Sequence, residues 1–278
     1  MFAVRKIADA RISLPCRWKW DSSLASEMKR GARVGDEDLA ARLAQGAGRL
    51  LLALRETSCL EGRALGAVAD QVANAFILTA LRQWRPDDCI LSEESPDDPE
   101  RLSHLRLWII DPLDGTREYV EGRSDWAVHV ALAVQGKPAA GAVAVPALDR
   151  LYRSDRVEAR IGSRPRPLML VSRTRAPAGA EAIAAAIGAD MAPMGSAGAK
   201  AMAVVAGDAD LYVHAGGQHE WDNCAPAAVA IGAGLHASRI DGTPLLYNGP
   251  DTMVPDLIIG RPDLAARAIA FLQSQSAI

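Results

Sequence analysis

The chain lacks a basic block and closely spaced cysteines, and each absence narrows what it can be. Only five of its 31 basic residues are lysine, and with 34 acidic residues the formal charge is −3 over 278 residues. A chain this close to neutrality, without a basic block, excludes a dedicated nucleic-acid polymer binder or a polybasic membrane-surface binder. The four cysteines, Cys16, Cys59, Cys89 and Cys224, stand far apart and form no C-x-x-C pair. That excludes a dense disulfide scaffold or a zinc cluster of common spacing, and predicts a reducing, cytoplasmic setting. No uninterrupted apolar run reaches the ~18 residues of a membrane span. No apolar h-region of ~7–15 residues follows the basic N-terminal residues, so a signal peptide is not expected. The absence of a G-x-S-x-G elbow or a reactive Cys–His signature disfavours hydrolysis through a covalent enzyme intermediate.

What is present is ordinary globular material, 49% hydrophobic and 23% charged, long enough for one large domain or two ordinary ones. Residues 1–34 stand apart, with no steady period of 2 or 3.6. They read as an N-terminal extension, with Met28 as a plausible start; the alternative is a docking arm built on Trp18 and Trp20. Helices are expected from Asp36, with Leu39, Leu43, Leu50, Leu51 and Leu54 on one face, and over about 69–83, with Val72, Phe76, Leu78 and Leu81 inward. "CILSEES" reads as a short buried strand, "HLRLWIIDPLDG" as a stronger one stopped by Pro112, and 125–154 as successive antiparallel strands. Beyond the Pro/Arg-rich seam at 162–168, strands "LMLVS", "ADLYVHA", "GLHASRI" and "PDLIIG" alternate with helices near 178–188, 198–206, 224–233 and 263–275. This pattern predicts an N-terminal α+β half, 35–161, and a layered α/β half, 162–278.

The densest chemistry lies in "WIIDPLDGTREY", residues 108–119. An apolar strand delivers Asp111, and Asp114 follows in the turn, with the Leu113 carbonyl between them. Two carboxylates on one turn suit hard divalent cations such as Mg²⁺. Gly115 and Thr116 would present backbone N–H groups to a phosphate oxygen if a helix begins there. D-P-x-D-G is also ordinary turn chemistry. Two further acidic positions weaken that plain reading: Glu93, at the end of another apolar strand, and Asp222, at the start of an apolar helix after a glycine pair. Alone, the first would be a solvated loop and the second a helix cap. Together the carboxylates could form a multi-cation site suited to phosphoryl transfer.

In this order and spacing the motifs resemble the inositol monophosphatase superfamily, over about residues 36–260. The resemblance implies a layered αβαβα sandwich of the sugar-phosphatase type, two halves sharing one active-site cleft, with Mg²⁺-dependent, lithium-sensitive phosphomonoesterase activity. It implies two or three Mg²⁺ ions on Glu93, Asp111, the Leu113 carbonyl, Asp114 and Asp222, with Thr116 and Asp70 as the catalytic pair that orients water. The segment bearing Asp70 departs from the family's V-T-x-A-D pattern, because Ala67 replaces the threonine. Homodimers are usual among such proteins.

After D-G-T the chain reads Arg117-Glu118-Tyr119, which is similar to the 3′(2′),5′-bisphosphate nucleotidase branch, whose substrate is 3′-phosphoadenosine 5′-phosphate. The segment 195–200, with Ser196 and Lys200, resembles a stretch lining the nucleotide side of that branch's cleft. Gly115, Thr116, Arg117, Ser196, Lys200 and Asp222 are therefore the expected substrate contacts. Ser172 and Arg173 are weaker candidates. A Walker loop is excluded because Ala199 and Ala201 flank Lys200. His214 and His219 flank a glycine turn near Asp222, either as structural residues or with one approaching the substrate. The competing readings are an inositol-1-phosphate or fructose-1,6-bisphosphate phosphatase, and an inactive nucleotide-binding regulator, for which Ala67 is the one supporting feature.

Overall fold

The computed structural model describes residues 34–276 apart from 161 and 163; the expectations for an N-terminal extension or a tryptophan arm fall outside the described residues. Two long helices come first, α1 (Asp36–Thr57) and α2 (Gly62–Trp84). The strands β1 (Cys89–Ser92), β2 (Arg106–Asp114), β3 (Ala127–Val134), β4 (Lys137–Val145) and β5 (Arg150–Arg153) follow, with a short helix α3 (Thr116–Val120) after β2. They form one sheet in chain order, parallel between β1 and β2 and antiparallel elsewhere.

The second sheet has the order β7-β6-β8-β10-β9. It is made of β6 (Leu168–Ser172), β7 (Asp190–Met194), β8 (Leu211–His219), β9 (His236–Ser238) and β10 (Met253–Gly260). Its helices are α4 (Ala180–Ile187), α5 (Ala197–Val205), α6 (Glu220–Gly232) and α7 (Pro262–Ser276).

Apolar composition dictates the layering. Seven of the eight residues of β3 are buried, which requires cover on both faces of the first sheet. α1 packs on one face, against β3 and β4, while α6 packs on β3 and β4 and also touches the second sheet. One core joins Leu107, Ile109, Val143, Met202, Val204, Val229 and Leu257 across this middle layer. A smaller core seats α4 and α7 on the far face of the second sheet through Ile183, Ile187, Val213, Ile258 and Leu264. The result is helix, sheet, helix, sheet, helix, the expected five-layer sandwich.

Several local expectations are corrected. The second helix begins earlier, at Gly62, and Val72 and Phe76 are 38% and 37% exposed, as Leu50 is 39% exposed on α1. The true inward stripe of α2 is Leu65, Ala69, Ala73, Ile77, Leu78 and Leu81, where small alanines let the helix lie close. By mean hydropathy α2 is long enough to cross a membrane, yet Asp70, Gln71 and Asn74 interrupt it, and its buried face packs on α1 and β2. Pro112 does not stop β2: the strand runs on to Asp114, with a register shift against β3 between Asp111 and Asp114. A bulge leaves a position that owes no ladder hydrogen bond, so proline is tolerated there. The strand β7 is not legible from the sequence. It carries Pro193 and forms the edge of its sheet, where a missing N–H costs little.

Candidate active site

Register explains why distant carboxylates converge. Parallel pairing sets Ser92 opposite Ile110, so Glu93, whose N–H donates to the Ile110 carbonyl at 3.2 Å, lies level with Asp111. The bulge then turns Asp114 toward the same sheet end. Asp222 arrives from the opposite layer in the first turn of α6, where its Oδ2 accepts the His219 N–H at 2.6 Å. It is thus the third helical residue, in a capping box, and not the N-cap itself. One oxygen from each of Asp111, Asp114 and Asp222 falls within a mutual span of 4.8 Å.

The electrostatics of this cluster are severe. Asp111 is 1% exposed, and its pKa is raised well above the ordinary carboxylate range by burial and by repulsion from Glu93 and Asp114. Glu93 is open to solvent on its outer side, yet its carboxyl is driven up to about 7 by desolvation and by Asp222. Asp222 rises to about 6, through burial and then Asp114. Asp114 goes the other way: burial raises it, but His129, the Ser196 hydroxyl and the Gly198 N–H together hold it below its usual value. Without a compensating cation such a cluster holds protons; an all-oxygen set of this charge fits a hard divalent ion.

Asp114 is held from several sides. Its Oδ2 accepts Ser196 Oγ–H at 2.5 Å and Gly198 N–H at 2.6 Å, and lies 3.3 Å from His129 Nε2. Ser196 also accepts the Ala199 N–H as N-cap of α5. It does so at φ 43°, a left-handed conformation unusual for a residue with a Cβ and maintained here by those bonds. Thr116 stands at the start of α3, after Gly115 at φ 92°. Its Oγ1 lies 3.2 Å from the Leu113 carbonyl and 3.4 Å from Asp70 Oδ1. Asp70 is raised to about 7 by burial and by Glu94, against the opposing hydrogen bond of Thr116. Gly66 makes the approach possible, since a Cβ there would come within 2.8 Å of Thr116 Cγ2. Ala67 is exposed, and the Asp70–Thr116 contact forms without a threonine at that position.

The cluster opens into a cleft of about 450 Å³ lined by Glu93, Asp114, Thr116, Arg117, Arg175 and His214, among others. Arg117 and Arg175 are exposed on it. Lys200 lies deeper, 3% exposed, with Nζ donating to the Ser196 carbonyl at 2.6 Å and the Gly195 carbonyl at 3.0 Å, and 5.0 Å from the Tyr212 ring centre. Burial lowers its pKa to about 8. Ser196 and Lys200 thus line the cleft, but their donors are spent within the protein. Arg173 is also committed, to Glu118 at 2.7 Å and Glu121 at 3.0 Å. A larger recess of about 860 Å³ beside β5 contains none of the acidic cluster, and two of its arginines pair with acids, Arg150 with Asp208 and Arg156 with Asp155.

One residue, His129, escapes the sequence-based reading, while His214, read there as either structural or approaching the substrate, lies on the cleft wall. His129 sits mid-strand in an apolar run, and nothing in that run marks it. His214 is 3% exposed, lines the cleft, and has neither ring nitrogen hydrogen-bonded among the described residues. Burial, Lys200 and Arg175 lower its pKa to about 4, so it is neutral near pH 7.

A model of the inositol monophosphatase family matches residues 40–277. The chain belongs to the inositol monophosphatase family. It is 49% identical over 259 residues to a 3′-phosphoadenosine 5′-phosphate phosphatase of Mycobacterium leprae, covering 87% of this chain and 96% of the relative. It is 32% identical over 191 residues to the 3′(2′),5′-bisphosphate nucleotidase CysQ of Escherichia coli K12, covering 64% and 78%. The fold is that of CysQ from Bacteroides thetaiotaomicron, at TM-score 0.69 and 24% identity over 81% of this chain and 97% of that one. An inositol monophosphatase from Zymomonas mobilis superposes equally well, at TM-score 0.70 and 23% identity over 86% and 97%. As a member of this family the chain is a phosphatase of metal-dependent type, acting on small-molecule phosphate esters.

Proposed function

We propose that the protein removes the 3′-phosphate of 3′-phosphoadenosine 5′-phosphate, giving AMP and phosphate. One observation carries this reading: a buried carboxylate cluster that needs divalent cations opens into a cleft also lined by Arg117, Arg175 and Lys200. A site of both signs suits a bisphosphate, one phosphate over the acidic cluster with its cations and the other on the basic lining. The names of the M. leprae and E. coli relatives support the same substrate class.

Glu93, Asp111, Asp114, Asp222 and the Leu113 carbonyl would hold two Mg²⁺ ions, matching four carboxylates in charge, with a third ion as the further possibility. Bound there, Mg²⁺ supplies Lewis acidity at the phosphoryl oxygens. The chain's own residues do the rest. Thr116 Oγ1 orients the attacking water, and Asp70 Oδ1, with a pKa near 7, receives the proton passed through that hydroxyl. Gly115 and Thr116 present backbone N–H groups to the phosphate, and Arg117 faces it from the cleft wall. Lys200, its donors occupied, contributes charge from below, and Ser196 contributes by anchoring Asp114.

The test is phosphate release from 3′-phosphoadenosine 5′-phosphate, inositol 1-phosphate and fructose 1,6-bisphosphate with Mg²⁺, with and without Li⁺. The nucleotide is expected to lead in kcat/KM by at least about tenfold, with Li⁺ inhibiting. A tenfold preference for inositol 1-phosphate would refute the assignment, and no turnover on any substrate would favour a binding protein.

A further inference from the structure

His129 has no assigned role, yet its side chain touches both the Asp114 carboxylate and the segment that leads into Asp222. It lies in the middle of β3, wholly buried. Its Nδ1 is 3.0 Å from the Trp221 carbonyl, so Nδ1 carries hydrogen and donates there, one residue before Asp222. Its Nε2 lies 3.3 Å from Asp114 Oδ2. A third element conforms to the ring: a Cβ at Gly198, whose N–H also bonds Asp114, would collide with His129 Nε2. A buried imidazole between an apolar sheet and an apolar helix is costly unless its nitrogens have partners; here Nδ1 bonds the Trp221 carbonyl, while Nε2 lies outside hydrogen-bond geometry and meets Asp114 as an ion-pair contact.

We infer that His129 is a positioning residue: by holding the Asp114 carboxylate and the Trp221 carbonyl on one rigid ring, it sets the placement of Asp114 relative to Asp222 and hence the affinity for divalent cations. Ser196 and Gly198 also bond Asp114, but from the start of α5, and their hydrogen bonds to it do not involve the Trp221 carbonyl. With Oδ2 occupied by three neighbours, Asp114 is left its Oδ1 for a cation. This inference rests on the proposed role of Asp114 and Asp222 as metal ligands. It concerns a residue supporting those ligands, of the kind whose loss typically weakens metal affinity by ~10–100-fold.

The experiment is Mn²⁺ titration of EDTA-treated, desalted full-length protein, followed by electron paramagnetic resonance of free Mn²⁺. The variants are His129→Leu, His129→Gln, Gly198→Ala and Asp114→Asn, each first checked for a cooperative melt in EDTA. His129→Leu should weaken Mn²⁺ binding by about tenfold or more, while KM for the nucleotide at saturating Mn²⁺ stays within about twofold. His129→Gln, which keeps a donor, should recover part of that loss. Gly198→Ala keeps the histidine but displaces its ring, and should weaken binding as well. A folded His129→Leu protein with unchanged or tighter Mn²⁺ binding would overturn the inference. If that variant does not fold, parental affinity in both His129→Gln and Gly198→Ala would overturn it equally. Asp114→Asn separates the two levels: parental Mn²⁺ affinity there would remove the ligand reading itself, whereas loss there with none at His129 removes only the positioning role.

Discussion

Replacing Asp222 by asparagine should make the metal-free protein more stable while abolishing turnover. Asp222 has its pKa raised from 3.8 to about 6, through burial and repulsion from Asp114. At ~1.4 kcal/mol per unit, keeping it ionised in the folded state at pH 7.5 costs about 3 kcal/mol. Asparagine removes that charge but retains an amide oxygen to accept the His219 N–H, so the helix cap survives. The sign follows from linkage: a folded-state pKa above the unfolded one means the native state binds the extra proton. The favourable contribution is complete below about 3.8 and is lost as pH rises through about 6. Parent and variant should therefore melt alike near pH 3.5, diverge between pH 4 and 6, and remain apart at pH 7.5. For a domain of this size, 3 kcal/mol corresponds to roughly 6–12 °C in Tm. The assay is thermal unfolding by circular dichroism in EDTA across that range, repeated with Mg²⁺. The cation should stabilise the parent and narrow the gap, because ligand binding to the native state adds to its stability. Equal metal-free Tm values at pH 7.5, or a less stable variant, would refute the electrostatic reasoning.

Other consequences are equally open to measurement. Thr116→Val preserves shape but removes the hydroxyl between Leu113 and Asp70; kcat should fall by ~10²–10⁴-fold with little change in Tm, and a fall under threefold would exclude the orienting role. Gly66→Ala places a methyl against Thr116 Cγ2 and should cost about 1–3 kcal/mol together with much of kcat; urea denaturation and turnover on one preparation would show whether the two losses occur together. Arg101→Met strands Asn248 Oδ1 and the Gly249 carbonyl, which the buried guanidinium ties to Asp97; a loss of roughly 3 kcal/mol in chemical denaturation is expected, with kcat/KM largely retained.

The separate parts of this site were readable in one dimension because each carries a local reason to be where it is. Carboxylates at the ends of apolar strands, D-P-x-D-G turn residues and an aspartate opening an apolar helix follow from hydrophobic period and turn chemistry. The helices and most strands were legible on the same grounds, since a sandwich with two cores imposes apolar stripes on nearly every element. Val72 and Phe76 misled because apolar residues also occupy surfaces, while Ala69 and Ala73, which face the core, look unremarkable in sequence. β7 escaped because an edge strand need not be apolar or free of proline.

The sequence by itself carried the acidic motif, and the order of its motifs carried the resemblance to the family. The tertiary structure decided which groups remain free to act. It spent the donors of Ser196 and Lys200 inside the protein, left His214 in the cleft without a hydrogen-bond partner among the described residues, and placed His129 between Asp114 and the segment leading into Asp222. Apart from Lys200, whose partners are the nearby Gly195 and Ser196 carbonyls, those outcomes depend on residues far apart in the chain coming together. That meeting is set by sheet register, by the bulge at Pro112 and by close approaches at Gly66 and Gly198. Local sequence encodes propensity over a few residues, whereas the pairing of one strand end with a helix from the opposite layer exists only once the two sheets have packed.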